Sequence, residues 1–134
     1  MVCIYCNAET KVTNSRHQKR SNQVWRRRKC KRCLTVFTTH EAIELSGALL
    51  VNNGSLSPFQ PNLLLIELLE ALKHHDSQQL AAQELSHTII GKLLKKRQKV
   101  ISTSQISRET AAVLKKFDRR AWLRYCADHP SATS

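Results

Sequence analysis

Two pairs of cysteines at the same tight spacing constrain the fold of this chain more than any other feature. Cys3 and Cys6 form the first pair, and Cys30 and Cys33 form the second, each with two residues between them. Such a pair directs both thiolates at one ion, and two pairs supply the closed tetrahedral set of four sulfurs that structural zinc prefers. We therefore predict a zinc ribbon, in which zinc is structural because four thiolates leave no open position for water.

Other roles for the cysteines and histidines have less support in the sequence. Two unrelated redox pairs would need a thioredoxin-like strand–helix–strand context, which the sequence lacks. His17 and His40 lie in the same segment, but four cysteines already complete the ligand set. Cys126 stands at helical spacing beside Trp122 and Tyr125, which is typical of a buried core thiol. Zinc bound by four sulfurs therefore remains the prediction.

The charge balance limits the classes of partner. The 134 residues include 22 lysines and arginines and 10 acids, which gives a formal net charge of +12. Such a charge attracts polyanions, so nucleic acid, the ribosome and anionic membrane surfaces are the first partners to consider. The longest apolar segment, LLLIELLEAL, is interrupted by Glu67 and Glu70, and MVCIYCNAE lacks the pattern of a secretory signal. We therefore expect a cytoplasmic protein with no membrane partner.

Charge and periodicity divide the chain into two modules, with a boundary near residues 45–47. Residues 1–45 hold all four paired cysteines, and their apolar residues occur singly or in pairs, as in short β strands. This segment cannot bury enough apolar area to fold alone, so a bound metal must stabilise it. Residues 46–134 carry the longer apolar periodicities that are typical of helices. We predict a small four-cysteine zinc ribbon over 1–45 and a mainly α-helical domain over 46–134.

The second module begins with a hairpin signal. In ALLVNNGSLSPF, apolar residues lead into the turn Asn52–Gly54, which favours a short β-hairpin. The 3.6-residue periodicity then predicts about four helices. The first helix spans about residues 62–75, and the second is long and has its N-cap at Ser77. The third is capped by Ser104, and the short fourth is capped by Asp118. The segment VIST is predicted to separate the second of these helices from the third.

The segment VWRRRKCKRC places six basic residues around the second cysteine pair. Runs of arginine are often only solvated surface, but a scaffold made rigid by zinc loses little conformational freedom when it binds. Arginine also forms bidentate contacts with phosphate or with a guanine edge. We therefore predict contact with double-stranded DNA, while Trp25 is either a base-stacking residue or a core aromatic. The predicted DNA-contacting residues are Lys11, Arg16, Arg26, Arg27, Arg28, Lys29, Lys31 and Arg32.

Four segments of the first module form a specific pattern: MVCIYC at the start, ETKVTNSR at 9–16, VWRRRKCKRC at 24–33 and FTTHE at 37–41. They resemble the amino-terminal zinc ribbon of the bacterial NrdR repressors of ribonucleotide reductase genes, which typically have CPFC, DTKVxDSR, IRRRRxC and FTTYE at these places. Here Asn14 replaces an acid, Trp25 an arginine and His40 a tyrosine, and the cysteine pairs lie one residue closer together. The resemblance implies a DNA-binding repressor.

The second module resembles the family's ATP-cone, a helical domain that is entered through a hairpin and binds ATP or dATP. LLVNNGSLSPF resembles its opening VVKRDGRREPF, and VISTSQI and AWLRYCA resemble its closing segments. Most charged residues at the opening of the family pattern are replaced here by uncharged ones. The replacing residues are Val51, Asn52, Asn53, Ser55, Leu56 and Leu63.

These replacements argue against the family's usual ligand, because a nucleoside triphosphate needs cations around its phosphates. ATP or dATP is thus a cofactor that the resemblance implies and the hairpin sequence disfavours. The weak candidates for nucleotide binding are Asn52, Asn53 and Gly54, and Gly54 is explained equally well by a turn that needs a positive φ.

The sequence contains no nucleophile elbow, no His-Glu-x-x-His motif and no P-loop, so we predict no enzyme. We predict a zinc-dependent, DNA-binding transcriptional repressor of this family, cytoplasmic and nucleoid-associated, that forms a homo-oligomer and has a weakened or lost response to ATP and dATP. Two alternatives stay open. The chain could bind RNA or the ribosome without responding to nucleotide, or it could dock on a reductase as a protein-interaction module.

Overall fold

A computed structural model describes residues 1–133 of the chain. These residues form two compact units, the first spanning Met1–Ile43 and the second beginning at Glu44. The predicted fold class is confirmed, since a strand-rich unit with four clustered cysteines precedes a mainly helical unit that contains a small mixed sheet. No helix in the described part of the chain is long and apolar enough to cross a membrane.

Three antiparallel strands make up most of the first unit: β1 (Thr10–Gln18), β2 (Gln23–Cys30) and β3 (Val36–Glu41), with β2 in the centre. The first cysteine pair precedes β1, and the second begins at the last residue of β2. Thr10 is the register partner of Cys30. The antiparallel register therefore brings both cysteine pairs to the same end of the sheet.

Side-chain burial is sparse in the first unit. Among residues 1–43, the buried class contains Cys3 and Cys30 alone. Asn7 and Leu34, each directly after a cysteine pair, adopt positive φ angles of 57° and 62°, a conformation that most residues with a β-carbon avoid. A unit with so little apolar burial and two such turns needs a cross-link at its cysteines to stay folded.

Within the described residues, the second unit combines five α-helices and one 3-10 helix with three short strands. The hairpin predicted around residues 52–54 is present, because β4 and β5 pair antiparallel on either side of that turn. The elements in chain order are α1 (Leu45–Ala48), β4 (Leu50–Asn52), β5 (Leu56–Pro58), α2 (Pro61–Ala71), α3 (Gln78–Lys95), β6 (Val100–Ser102), α4 (Thr103–Phe117), α5 (Arg119–Asp128) and a 3-10 helix (Pro130–Ala132).

The core of the second unit lies between its helices. The buried residues follow the predicted helical spacing, as Leu64 and Leu68 do on α2 and Leu85, Ile89 and Leu93 do on α3. The helices α4 and α5 pack against this pair. The apolar periodicity of the sequence therefore predicts the helices that carry these buried residues.

The strand β6 is not predicted from the sequence. The sequence predicts a simple interruption at VIST, but Val100–Ser102 pairs in parallel with β4, and Ile101 within it is fully buried. Three residues are too short a stretch for the alternation that marks a strand. The pairing also depends on β4, which lies far away in sequence, so no local signal could predict it.

Ser102, and not the predicted Ser104, caps α4. The Ser102 Oγ accepts a hydrogen bond from the backbone N–H of Gln105 at 3.2 Å, and the side chain of Gln105 accepts one from the backbone N–H of Ser102 at 2.8 Å. This reciprocal pair is a capping box. Asp118 caps α5 as predicted.

We expect Ser102→Ala to lower the free energy of unfolding of the second unit by about 1 kcal/mol, because the cap satisfies backbone N–H groups that the helix leaves unpaired. Ser104→Ala is the matched control, and it should cost clearly less. Chemical denaturation of both variants, followed by circular dichroism at the helix band, compares them. A larger effect at position 104 would contradict the assignment of the cap.

Candidate functional site

The four paired cysteines converge on one point. The distance from Cys3 Sγ to Cys33 Sγ is 3.6 Å, and the distance from Cys6 Sγ to Cys30 Sγ is 3.5 Å. All four sulfurs lie within 4.8 Å of one another. Sulfurs bonded tetrahedrally to zinc at about 2.3 Å stand roughly 3.8 Å apart. The geometry and the donor set therefore fit a structural zinc ion, as predicted.

Hydrogen bonds around the sulfurs favour the thiolate form that binds metal. The backbone N–H groups of Arg32 and Cys33 donate to Cys30 Sγ at 3.3 and 3.4 Å. Hydrogen bonds with the hydroxyl and the backbone of Thr35 lower the pKa of the Cys33 thiol to about 6. The end of β2 and the turn after it thus supply the two sulfur ligands of the second cysteine pair and some of the hydrogen-bond donors that stabilise their negative charge.

The other candidate ligands lie outside the cluster. His17 belongs to β1 and His40 to β3, and neither is among the four residues that come together. Cys126 lies on α5, in the second unit, and is only partly buried. Burial raises the pKa of its thiol, which keeps it in the less reactive, protonated form.

The basic residues around β2 do not form one patch. Side chains of a strand alternate between the two faces of its sheet, and register partners in neighbouring strands share a face. Arg26 and Arg28 therefore point to one face, and Arg27 and Lys29 point to the other. A run that looks continuous in the sequence is divided by the two-residue period of the strand.

The face that carries Arg26 and Arg28, here called the paired face, has internal partners for its cations. The guanidinium of Arg26 forms an ion pair with Glu41 at 2.7 Å. Arg28 Nε donates to the hydroxyl of Thr39 at 3.2 Å. Phe37, the register partner of Arg28, is partly buried on the same face. These arginines hold β2 against β3.

The two predicted DNA-contacting residues in the turn between the second pair of cysteines also have partners within the unit. Lys31 forms an ion pair with Glu9 at 2.6 Å. The guanidinium of Arg32 donates to the backbone carbonyl of Cys6. Both contacts join the turn of the second cysteine pair to the segment of the first. These side chains therefore have a structural role at the metal centre.

The opposite face, here called the cationic face, carries the remaining four predicted residues. Lys11 is the register partner of Lys29, Arg16 that of Trp25, and Arg27 lies across from Asn14. Within residues 1–133, Lys11, Arg16, Arg27 and Lys29 have no ion-pair partner. The acids of the first unit are Glu9 and Glu41, and both are engaged elsewhere. Arg28 on the paired face also lacks an ion-pair partner within the described residues, because its bond is to a neutral hydroxyl. The cationic face thus carries four unbalanced charges, whereas the charge of Arg26 on the paired face is balanced by Glu41.

Trp25 lies in the middle of the cationic face. Its register partners are Arg16 on β1 and His40 on β3. The side chain is partly exposed, while the β1 and β3 partners are exposed. A half-exposed aromatic between basic residues has a surface on which a sugar or base could stack. The division into two faces could have been found from the sequence, because VWRRRK read with a period of two already separates Trp25 and Arg27 from Arg26 and Arg28.

The nucleotide candidates of the second unit lie around a cavity of about 360 Å³, bounded by the β4–β5 hairpin, α2 and α4. Asn53 lines it, whereas Asn52 and Gly54 do not. Gly54 has a φ of 84°, and its N–H donates to the side-chain oxygen of Asn52 at 3.1 Å. These two residues therefore serve the turn itself. Among the lining residues, Glu67 contributes a carboxylate, and none is a lysine or an arginine.

Comparison with known protein families agrees with the geometry of the first unit. Residues 1–41 match the family described as "Transcriptional repressor NrdR-like, N-terminal domain". The whole chain is similar to transcriptional repressor NrdR of Chlamydia trachomatis serovar L2, with 37% identity over 126 residues that cover 93% of this chain and 82% of the relative. The NrdR proteins of Chlamydia muridarum and Chlamydia pneumoniae are 36% and 34% identical, over 93% of this chain and 83% of each relative.

We expect each chain to bind one zinc ion and removal of that ion to unfold the first unit alone, because only the second unit has a hydrophobic core. A strong chelator should remove the contribution of the β1–β3 sheet to the circular dichroism and shift the fluorescence of Trp25, one of two tryptophans. The helical circular dichroism should persist. Cys30→Ser should mimic the chelator. Cys126→Ser, the matched control, should keep full zinc content. Helix loss in parallel with zinc loss would contradict this expectation.

Proposed function

Because the chain belongs to the NrdR family of transcriptional repressors, we propose that it is a zinc-dependent repressor whose first unit binds double-stranded DNA. Its target genes would encode ribonucleotide reductase, and its place in the cell would be the nucleoid in the cytoplasm. The observation that carries the proposal is the cationic face, on which four basic side chains lie without an ion-pair partner among the described residues, while Glu9 and Glu41 pair with other cations. The second unit would join copies of the chain, so that two or more ribbons bind one operator.

The cationic face suits DNA for electrostatic and geometric reasons. Its four cations project from strands that are cross-linked by the metal site, so little ordering entropy opposes binding. Arg16 and Arg27 have guanidinium groups that can contact phosphate or guanine in a bidentate manner, and Lys11 and Lys29 add point charges. If all four contact phosphates, affinity should fall roughly 10²-fold between about 50 and 200 mM salt. Trp25 could add a stacking contact at the centre.

The paired face is the less suitable surface. Arg26 already forms an ion pair with Glu41 at 2.7 Å, so the carboxylate offsets its charge and repels a phosphate. Arg28 is partly covered beside Phe37. We therefore assign Arg26 and Arg28 to the stability of the sheet, and we assign DNA contact to the opposite face.

A matched pair of double variants tests this assignment. We expect Arg16→Gln with Arg27→Gln to reduce the slope of log affinity against log salt by about 1.8, because two phosphate contacts are lost. Arg26→Gln with Arg28→Gln removes the same net charge and should leave the slope nearly unchanged. Fluorescence anisotropy with labelled duplex at several salt concentrations measures both. Equal losses in the two variants would mean that net charge alone matters and would contradict the assignment.

The identity of the nucleic acid needs its own comparison. A duplex from the promoter of the ribonucleotide reductase genes should bind more tightly than a scrambled duplex or a structured RNA of the same length. Equal affinities would contradict the repressor and would favour a general RNA or ribosome binder. Full repression by a variant that no longer binds DNA would instead favour docking on a reductase.

Self-association is proposed for the second unit on the basis of α2. This helix buries Leu64 and Leu68, yet Ile66 is 60% exposed, and Leu63, at the edge of the hairpin cavity, is 55% exposed. A surface helix of a monomer usually has charged or polar residues at such positions. Pairing of ribbons on spaced operator sites would multiply weak single contacts.

We expect ATP and dATP to change DNA affinity by less than about twofold, whereas allosteric coupling is typically roughly 5- to 150-fold. The cavity at the hairpin lacks the lysines and arginines that a triphosphate requires. DNA titrations with and without each nucleotide, at constant magnesium and ionic strength, provide the measurement. A larger change, accompanied by a shift in oligomer size, would contradict the loss of the nucleotide response.

A further inference from the structure

A second cavity of the second unit lies between α4, α5 and the 3-10 helix, and its volume is about 270 Å³. It is called the α4–α5 cleft here, and it shares no lining residue with the cavity at the hairpin. Among the described residues that line it, two are cations and none is an acid. Its lining includes Arg108, Ala111, Ala112, Lys115, Trp122 and Ala132.

Both cations of the cleft are available to a ligand. Arg108 and Lys115 are exposed, and neither has an ion-pair partner within residues 1–133. Glu109, the next residue after Arg108, is already paired with Lys96 at 2.6 Å. A site with positive charge and no carboxylate of its own attracts anions. The α4–α5 cleft is therefore a candidate site for an acidic ligand.

The two cations are held at opposite ends of the cleft. They are seven residues apart on α4, which places them on one face of the helix with a rise of about 10.5 Å between them. Nε of Arg108 donates to the backbone carbonyl of Ser104 at 3.3 Å, one turn towards the start of the helix. Nζ of Lys115 lies over the ring of Trp122, 5.2 Å from its centroid. These contacts reduce the side-chain freedom that a ligand would have to remove.

Between its two charges the cleft is apolar. The small side chains of Ala111 and Ala112 leave open space on α4, and the partly buried Trp122 and Ala132 face them from α5 and the 3-10 helix. A ligand that matches this surface has an anionic group at each end and a thin apolar middle.

This pattern favours an acidic peptide over nucleic acid. A peptide in the polyproline II conformation repeats its side chains every three residues and rises about 3.1 Å per residue. Two acids three residues apart therefore lie on the same side, about 9 Å from each other, with apolar residues between them. A nucleic acid strand carries a phosphate at every nucleotide, which would place negative charge over the alanines as well.

We propose that the α4–α5 cleft binds an extended acidic segment of a partner protein, in which two carboxylates three residues apart flank apolar residues. One carboxylate pairs with Arg108 and the other with Lys115. The residues between them lie over Ala111 and Ala112 and against Trp122. The site lies in the second unit and does not depend on DNA binding by the first.

Two capped tetrapeptides of equal charge test the proposal, Glu-Pro-Pro-Glu and Glu-Glu-Pro-Pro. Each is titrated at constant ionic strength into the full zinc-loaded chain, and the indole N–H signal of Trp122 is followed by NMR. The chain has two tryptophans, and Trp25→Phe assigns their signals. A local signal is needed because acidic peptides also bind the cationic face of the first unit. We expect a saturable shift and roughly threefold tighter binding of the spaced peptide, which makes one more exposed ion pair.

Arg108→Gln and Lys115→Gln should each weaken binding of the spaced peptide several-fold and remove its advantage, because one of the two ion pairs is lost. Lys116→Gln is the matched control, since this exposed lysine is the next residue on α4, removes the same charge and does not line the cleft. It should keep both the affinity and the preference for spaced acids. Circular dichroism at the helix band verifies that all three variants are folded.

Three results would overturn the proposal: no saturable shift of Trp122 up to tens of millimolar peptide, equal binding of the two peptides, or equal effects of Lys115→Gln and Lys116→Gln. A short oligonucleotide that shifts the same signal at lower concentration than the spaced peptide would also overturn it and would assign the cleft to nucleic acid. Loss of promoter binding with the peptide response intact would overturn the repressor assignment and leave the cleft assignment standing.

Discussion

The four sulfurs of the first unit are the constraint on which the rest of its structure depends. Antiparallel pairing of Thr10 with Cys30 brings both cysteine pairs to one end of the sheet, and no hydrophobic core would otherwise hold them there. The ion pair between Lys31 and Glu9 and the bond from Arg32 to the carbonyl of Cys6 join the same two segments. Metal binding and folding of this unit are therefore one event.

Once the sheet is fixed, the alternation of side chains decides what the basic residues do. The same run, VWRRRK, supplies arginines that hold β2 to β3 and arginines that remain available for a ligand. Arg26 forms an ion pair with Glu41, whereas Arg27 has no acidic ion-pair partner within the described residues. Charge that is already neutralised contributes little to binding a polyanion. Under the proposed function, DNA contact therefore depends on which face a residue occupies, and not on how many cations the segment contains.

The sequence predicted the elements whose signals are local. The spacing of the cysteines identified the metal site, and the helical period predicted the helices on which Leu64 and Ile89 are buried. The sequence did not predict β6, because the pairing of Ile101 with β4 is a contact between segments that lie far apart in the chain. The sequence also favoured Ser104 over Ser102 as the cap of α4, since two serines separated by one residue have the same propensity and only the backbone path distinguishes them.

The most direct test of the central claim is an NMR titration of the zinc-loaded chain with a promoter duplex, in which the Nε–Hε signals of the arginine side chains are observed. Arg16 and Arg27 should shift and become protected from exchange as DNA is added, because they face the phosphates. Arg26 and Arg28 should keep their signals, because Glu41 and Thr39 already bind them. Shifts of Arg26 and Arg28 with unchanged Arg16 and Arg27 would contradict the account.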